Sequence, residues 1–310
     1  MSGASSLVSD VKTAAPSSTS SLSAAVAASA ASIVFGASVV ATRFVVMQTQ
    51  PVSLAFLRYF IASLCLLPVL YEVKRAGMPR RHLVGICLLG VLFFGIFPWS
   101  FSASLMYLPS SRVAVLIATT PLLTLIVSRL KGYEQLTAPK IAGQVLAFTG
   151  LWIALHKTTD ATSMTLSDTW RGIGLALLTA VCGSVFNVYS RPYLKAYPPL
   201  RVSALAMAAG ALFLAPIAAS QGLFTTAPSF TAGGWMAVAF LGVLGGAFGF
   251  ALWIWALQRS TPSQVAVFIG LNPVTATLLG ALLLNEPITL LFIIGMACVL
   301  GGIVLANWRR

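Results

Sequence analysis

The sequence predicts an all-α polytopic membrane protein of ten transmembrane helices, arranged as two inverted five-helix repeats. Apolar runs long enough to cross a bilayer follow one another along nearly the whole chain. The cations fall between those runs, and the second half of the chain repeats the pattern of the first. With 58% of its 310 residues hydrophobic, 8% charged and a mean hydropathy of +0.93, the chain suits lipid as its solvent and not water.

Residues 1–21, rich in Ser, Ala and Thr with Lys12 as their one cation, read as a disordered cytoplasmic tail; they are too weakly basic for a signal peptide. At about 20 apolar residues per span, the first repeat (22–156) holds helices near 22–45, 51–71, 83–106, 111–130 and 138–156. An external linker covers 157–171. The second repeat (172–310) holds helices near 172–190, 199–220, 234–258, 263–284 and 287–307.

A formal charge of +13 in a soluble protein would point to nucleic acid. Here the positions exclude that reading, because hardly any Lys or Arg lies within an apolar run. With the N-terminus inside, the cytoplasmic connections receive Lys74, Arg75, Arg80, Arg81, Arg129, Lys131, Lys140, Arg191, Lys195, Arg201 and Arg259, besides Lys12, Arg309 and Arg310. The other face receives Arg43, Arg112, Lys157 and Arg171. The imbalance places both termini in the cytoplasm, at the inner (plasma) membrane.

The repeat is the most specific feature. Leu89-Gly90-Val91-Leu92 returns as Leu241-Gly242-Val243-Leu244. In the same register Ser111, Val113, Pro121, Glu134, Gly143 and Gly150 match Ser263, Val265, Pro273, Glu286, Gly295 and Gly302. A neighbouring register pairs Pro51, Arg58 and Pro68 with Pro199, Ala206 and Pro216. An odd number of helices per half makes the second copy enter the membrane from the opposite side. Two such copies can exchange conformations, which gives two states of similar energy, one open to each side.

Candidate transport residues are the polar groups at membrane depth. Pro121 and Pro273 fall mid-span at matched positions, where a missing amide leaves the carbonyls of Ile117 and Ile269 available to a partner. Thr119 and Thr120 sit beside the first proline and Asn272 beside the second; Gln264, Phe268, Asn272 and Thr275 form one stripe. Such a stripe faces protein or water, so both substrate contact and plain interhelical hydrogen bonding are open. Ala180, Gly183, Ser184, Asn187 and Ser190 make a second small and polar face. Trp99, Ser100, Phe101, Trp253 and Trp255 read either as an interfacial belt or, where an indole turns inward, as a stacking surface. Pro98 predicts a kink before them.

Arg58 is the one charge well inside a span, at a cost of about 2.5 kcal/mol or more if unpaired. It can hold a substrate carboxylate or bond helix-end carbonyls. Arg43 reads as an interfacial anchor, Glu134 and Glu286 as carboxylates at the positive ends of helices 5 and 10. Glycines 242, 245, 246 and 249 read as close packing. Cys65, Cys87, Cys182 and Cys298, without CxxC spacing or a neighbouring His, read as small packing residues.

Phe35-Gly36-Ala37-Ser38 with Arg43, Leu54-Ala55-Phe56-Leu57-Arg58 after Pro51, and the two blocks Val113–Glu134 and Val265–Glu286 resemble the drug/metabolite transporter superfamily in its ten-helix EamA-type branch. Within that branch the chain is most similar to YddG-type exporters of amino acids, notably aromatic ones. The resemblance spans about residues 30–308 and implies secondary export of metabolites through a cavity formed largely by helices 1, 3, 4, 6, 8 and 9.

No Asp or Glu lies mid-span and no G-x-x-x-x-G-K-[ST] occurs, so neither carboxylate-coupled antiport nor ATP hydrolysis is expected. Nor does any cluster of His, Asp, Glu or Cys suggest a membrane enzyme, a metal or a cofactor. One interior Arg is thin support for a phosphate-bearing substrate. The expected partners are a small solute, most readily an amino acid, and the bilayer. Another metabolite or drug class stays open, as does a non-transporting scaffold, which has no need of inverted halves. Monomer and dimer both stay open.

Overall fold

The computed structural model describes residues 18–46, 48–69, 71, 77–107, 113, 116–117, 119–155, 166–225, 230–284 and 290–307. Among them the regular structure is helical throughout. α1 is Ser18–Val46, α2 Pro51–Cys65, and α3 runs through Arg80–Gly90, a π-helical segment Val91–Ile96 and Phe97–Tyr107. α4 is Thr120–Leu130, α5 Ala138–Leu155, α6 Leu166–Tyr189 and α7 Pro199–Ser220. α8 joins Ala232–Phe240, a second π segment Leu241–Phe248 and Gly249–Arg259. α9 joins Pro262–Ala266, a 3-10 segment Val267–Gly270 and Leu271–Leu284, and α10 is Leu290–Asn307.

Five stretches are long and apolar enough to span a bilayer: Leu22–Thr42, Arg80–Ser104, Asp168–Ala196, Pro199–Ser220 and Ala232–Arg259; shorter apolar helices accompany them. The chain is a polytopic membrane protein. Proline opens α2, α7 and α9, where its missing amide costs nothing and its fixed φ suits the first turn. Thr231 caps α8, its Oγ1 accepting from the Gly234 amide at 3.1 Å.

Several expectations are corrected. α1 begins at Ser18, inside the stretch read as a tail, and α6 begins at Leu166, inside the stretch read as a linker. α2 is broken by a turn at Leu66, with helix again at 67–69, and a short helix Arg191–Ala196 precedes α7. The irregularity near Pro98 is the π segment ahead of it. Pro98 is not its general cause, because α8 has its π segment at the matching place with Phe250 where α3 has Pro98. The two π segments therefore occupy corresponding positions in the two halves of the sequence. Glu286, His156 and the side chain of Arg43 lie outside the described residues.

Packing is intertwined. α1 packs on α8 and α9, while α6 packs on α3 and α4; α2 packs on α8, and α7 on α3; α2 also meets α7, and α5 meets α10. Each of these contacts crosses from one half of the sequence to the other. Glycines set the closest approaches, since lipid supplies no hydrophobic drive and backbone contact must replace it. A Cβ on Gly90 would strike the backbone of Ala206, and one on Gly242 would lie 2.5 Å from Ile61 Cγ2 and 3.4 Å from the Arg58 carbonyl. At the α5–α10 crossing, Gly143 faces Gly302 and Ala306, and Gly150 lies against the carbonyl of Gly295, where a Cβ would come to 2.5 Å. The two helices are antiparallel there.

One end of the bundle gathers the cations. Lys131 sits 4.6 Å over the Tyr189 ring, Arg191 5.4 Å over Tyr133 and Arg259 3.8 Å over Trp255. His82 Nδ1 meets Tyr197 Oη at 2.7 Å. The α4–α5, α6–α7 and α8–α9 connections and the start of α3 thus share that end. At the other end Gln48 Oε1 accepts from the Thr231 amide at 3.1 Å, joining the α1–α2 connection to the start of α8.

Candidate functional site

Two π segments and one 3-10 segment interrupt the helices around the middle of the bundle, and the aromatic side chains in and just beyond them converge. Phe93 stacks on Phe186 at 4.4 Å and meets Phe250 edge-on at 5.5 Å; Phe94 lies 4.9 Å from Phe250. Phe35 of α1 is 4.7 Å from Phe250 and 6.0 Å from Trp253. A π turn holds one residue more than an α turn and so advances the phase of everything after it.

Polar groups border this box. Trp253 Nε1 donates to Asn187 Oδ1 at 3.2 Å, both residues being 2% exposed. Ser184 Oγ is within reach of the Thr120 carbonyl at 3.1 Å and that of Ala180 at 2.8 Å. Gly183 leaves room for Thr120, whose Cγ2 would be 3.3 Å from a Cβ there. The α6 face of Ala180, Gly183, Ser184, Asn187 and Ser190 is buried as a unit. Asn272 on α9 packs its backbone against Gly36 of α1, and its buried Oδ1 has no partner among the described residues.

The remaining expected residues go elsewhere. The carbonyl of Ile117, left by Pro121, is not free: Thr120 Oγ1 donates to it at 2.6 Å, and Thr119 Oγ1 to that of Leu116 at 2.6 Å. Both hydroxyls therefore repair their own helix. Ser100 Oγ bonds Thr179 Oγ1 at 2.8 Å, fastening α3 to α6. Gln264 Oε1 accepts from Ser260 at 3.2 Å and Thr261 at 2.8 Å, which holds it at the cationic end. Phe268 is buried in the 3-10 segment, within the main core. Trp99 is 49% exposed and does not join the box; Trp255 lies under Arg259, and Phe101 packs in a small cluster with Val113 and Ala176. Of the tryptophans on α3 and α8, only Trp253 turns inward.

Arg58 donates from Nη2 to the Gly245 carbonyl at 3.3 Å, within the α8 π segment, and its guanidinium lies 5.6 Å from the Tyr59 ring. Its Nε is buried with no partner among the described residues. Gly245 makes the room, since a Cβ there would sit 2.5 Å from Ser38 Oγ and 3.4 Å from Arg58 Nη2. Carbonyl bonding is thus what Arg58 does in this conformation. Glu134 does not act as an end charge on α5; it reaches α9 of the other half, donated to by the Ser263 amide at 3.1 Å. Of the cysteines, Cys182 is buried and Cys65 exposed.

Sequence reasoning passed over Gln144. It lies within α5, 2% exposed, with both amide atoms unpaired among the described residues. An amide with no function at such a position is costly. The available signal was a lone Gln inside the apolar run of residues 138–156. Gln144→Leu is expected to raise thermal stability by about 1 kcal/mol, because two orphaned atoms leave the interior, while lowering solute flux. Asn272→Ala is expected to behave alike. Melting curves and flux on the same preparations check both; unchanged flux would take the residue out of the path.

The chain is similar to known transporters along almost its whole length. A family model described as the EamA-like transporter family matches residues 22–155 and 170–308. An uncharacterized transporter of Archaeoglobus fulgidus is 26% identical, over 89% of this chain and 95% of that protein. The uncharacterized inner membrane transporter YedA of Escherichia coli is 26% identical, over 89% and 87%. A probable terminal-alkyne amino-acid exporter of Streptantibioticus cattleyicolor is 27% identical, over 66% of each chain. A solved crystal structure superposes with a TM-score of 0.77 at 21% identity, covering 92% of this chain and 96% of its own, which speaks for the fold.

Proposed function

We propose, from the premise that this chain belongs to the EamA-like transporter family, that it exports amino acids with apolar or aromatic side chains by alternating access, without ATP. The observation that carries the reading is the ring box of Phe35, Phe93, Phe94, Phe186 and Phe250 closing around the Trp253–Asn187 hydrogen bond. Ring faces take an apolar side chain, and the Asn187 amide with the orphaned Asn272 Oδ1 suits the ammonium and carboxylate of a zwitterion. Resemblance to an amino-acid exporter points the same way.

Alternation needs two inverted halves, here residues 22–156 and 172–310 joined by 157–171. Two sets of contacts support that arrangement. Gly143 against Gly302 becomes, when the repeats are exchanged, Gly295 against Gly150, and both contacts occur, between antiparallel helices. Likewise Gly90 against Ala206 exchanges into Gly242 against Arg58. The cationic end is the cytoplasmic one by the positive-inside rule, with both termini on that side of the plasma membrane.

Counterflow in proteoliposomes tests the substrate. Labelled phenylalanine, tryptophan or leucine is expected to exchange saturably against the unlabelled solute, with phosphate-bearing solutes inert. Failure of every amino acid to exchange would overturn the assignment. Flux is also expected to respond weakly to an imposed pH gradient, within about twofold. Burial alone would raise the Glu134 carboxyl, but hydrogen bonds from Lys140 and Ser263 and the Lys140 charge outweigh it and hold that carboxyl below its usual range. Glu134 therefore stays ionised through the neutral range and carries no proton. The stability it contributes is complete above the ordinary glutamate range and is lost only as pH falls through its lower folded value. Strong acceleration by the gradient would reveal a proton carrier elsewhere.

A further inference from the structure

α4 and α9 occupy matching places in the two halves of the sequence, each with its proline, Pro121 in the first turn of α4 and Pro273 within α9. They meet at the cationic end, where Pro262–Ala266 packs on Thr120–Leu130, and then part company: Leu271–Leu284 packs on α1 instead. A solute path that runs between α4 and α9 is pinched where these two helices touch.

Glu134 stands at that pinch. Its carboxylate, 1% exposed, accepts from Ser128 Oγ of α4 at 2.9 Å and from Lys140 Nζ of α5 at 2.6 Å. It also accepts from the Ser263 amide at 3.1 Å and, by a very short contact, from Ser263 Oγ. Ser128 and Ser263 are both fully buried. One carboxylate thus receives donors from three helices, and two of its four bonds come from the opposite half of the chain. Purely local satisfaction of Lys140 would need no partner on α9, and a buried carboxylate so fully satisfied is costly to release. Few interactions fit a closure that must hold firmly and give way as a whole so well.

We infer that Glu134 is the latch that keeps the cytoplasmic mouth shut between α4 and α9, and that its separation from Ser263 is an obligatory step of every transport cycle. The inference rests on the transporter reading above and adds to it the group that controls entry. Lys140 and Ser128 orient the carboxylate; Ser263 is the half of the latch that moves away.

Labelling tests this without knowledge of the substrate. In a chain with Cys65, Cys87, Cys182 and Cys298 replaced, Ala266→Cys puts a thiol at a fully buried position one turn beyond Ser263. A membrane-impermeant maleimide applied to inside-out vesicles is expected to label it slowly. Adding Glu134→Ala is expected to speed labelling by about tenfold or more, and Ser263→Ala by less, as the equilibrium shifts toward the open mouth. Leu136→Cys, at an exposed position, reports equal access in every background. Should Glu134→Ala fail to fold, Glu134→Gln combined with Ser263→Ala carries the same expectation. Unchanged labelling in folded, monodisperse protein would overturn the latch even if amino acids are exchanged normally. Faster labelling would sustain it even if no amino acid is exchanged, in which case the substrate assignment fails and the latch does not.

Discussion

A valine at position 302 is expected to remove the folded protein from the membrane. Gly302 lies with its α-carbon against the carbonyl of Gly143 and the backbone of Ala147, and Gly143 lies in turn against Gly302 and Ala306. No flexible side-chain tip stands there to swing aside; the obstacles are main-chain atoms of a facing helix. Valine adds three carbons to a gap too small for one. α5 and α10 must separate along a seam that also includes the Gly150–Gly295 approach. Overpacking of this kind costs about 3 kcal/mol, a large part of a total stability of about 5–15 kcal/mol, so folded yield should fall by about tenfold or more. The neighbouring Gly301→Val is the matched control, because its Cβ would find only Leu146 Cδ2 at 3.7 Å. Detergent-extracted yield and melting temperature measure both. A Gly302→Val protein that melts with the parent would show that the seam does not hold the halves together.

Asn187→Ala carries the largest expected loss of transport. It removes the acceptor of the Trp253 indole and leaves that N–H buried without a partner, at about 1–3 kcal/mol. It also strips the aromatic box of its amide. Flux of an apolar amino acid is expected to drop by about tenfold, or 1.4 kcal/mol. Trp253→Phe should cost nearly as much, and the double variant little more than either alone, because the two side chains act as one unit. Initial rates in proteoliposomes, with insertion checked by gel filtration, decide it. Additive losses would mean that Asn187 and Trp253 serve transport separately, and no loss in either would remove the box from the path.

Much of the fold was legible because lipid imposes it. Apolar runs of span length placed most of the helices, and those beginning near 51, 199 and 263 do open on Pro51, Pro199 and Pro262. Orientation of side chains within a helix was less legible. A buried helix in a bilayer is apolar on its lipid face and its protein face alike, so its sequence carries little amphipathic signal. Trp99 and Trp253 belong to one aromatic group in the sequence, yet the repeat register pairs Trp99 with Ala251, and only Trp253 faces inward. Ser184 and Asn187 share one buried face, as their spacing predicts, because α6 is regular. Thr119 and Thr120 look available in a sequence, yet a hydroxyl beside a proline has a local carbonyl to satisfy, and three-dimensional geometry shows that it does. Glu134 was misplaced for a related reason: proximity in sequence suggested α5, whereas its partner on α9 lies 129 positions away.

The seam between α5 and α10 has a symmetry of its own. Turned end over end it looks the same, since the glycine pair at one level trades places with the pair at the other. A surface of that kind is self-complementary, as in a two-fold homodimer. A side chain added at Gly143 or Gly150 therefore meets facing main chain just as one added at Gly302 does, and the two ends of the seam fail or hold alike.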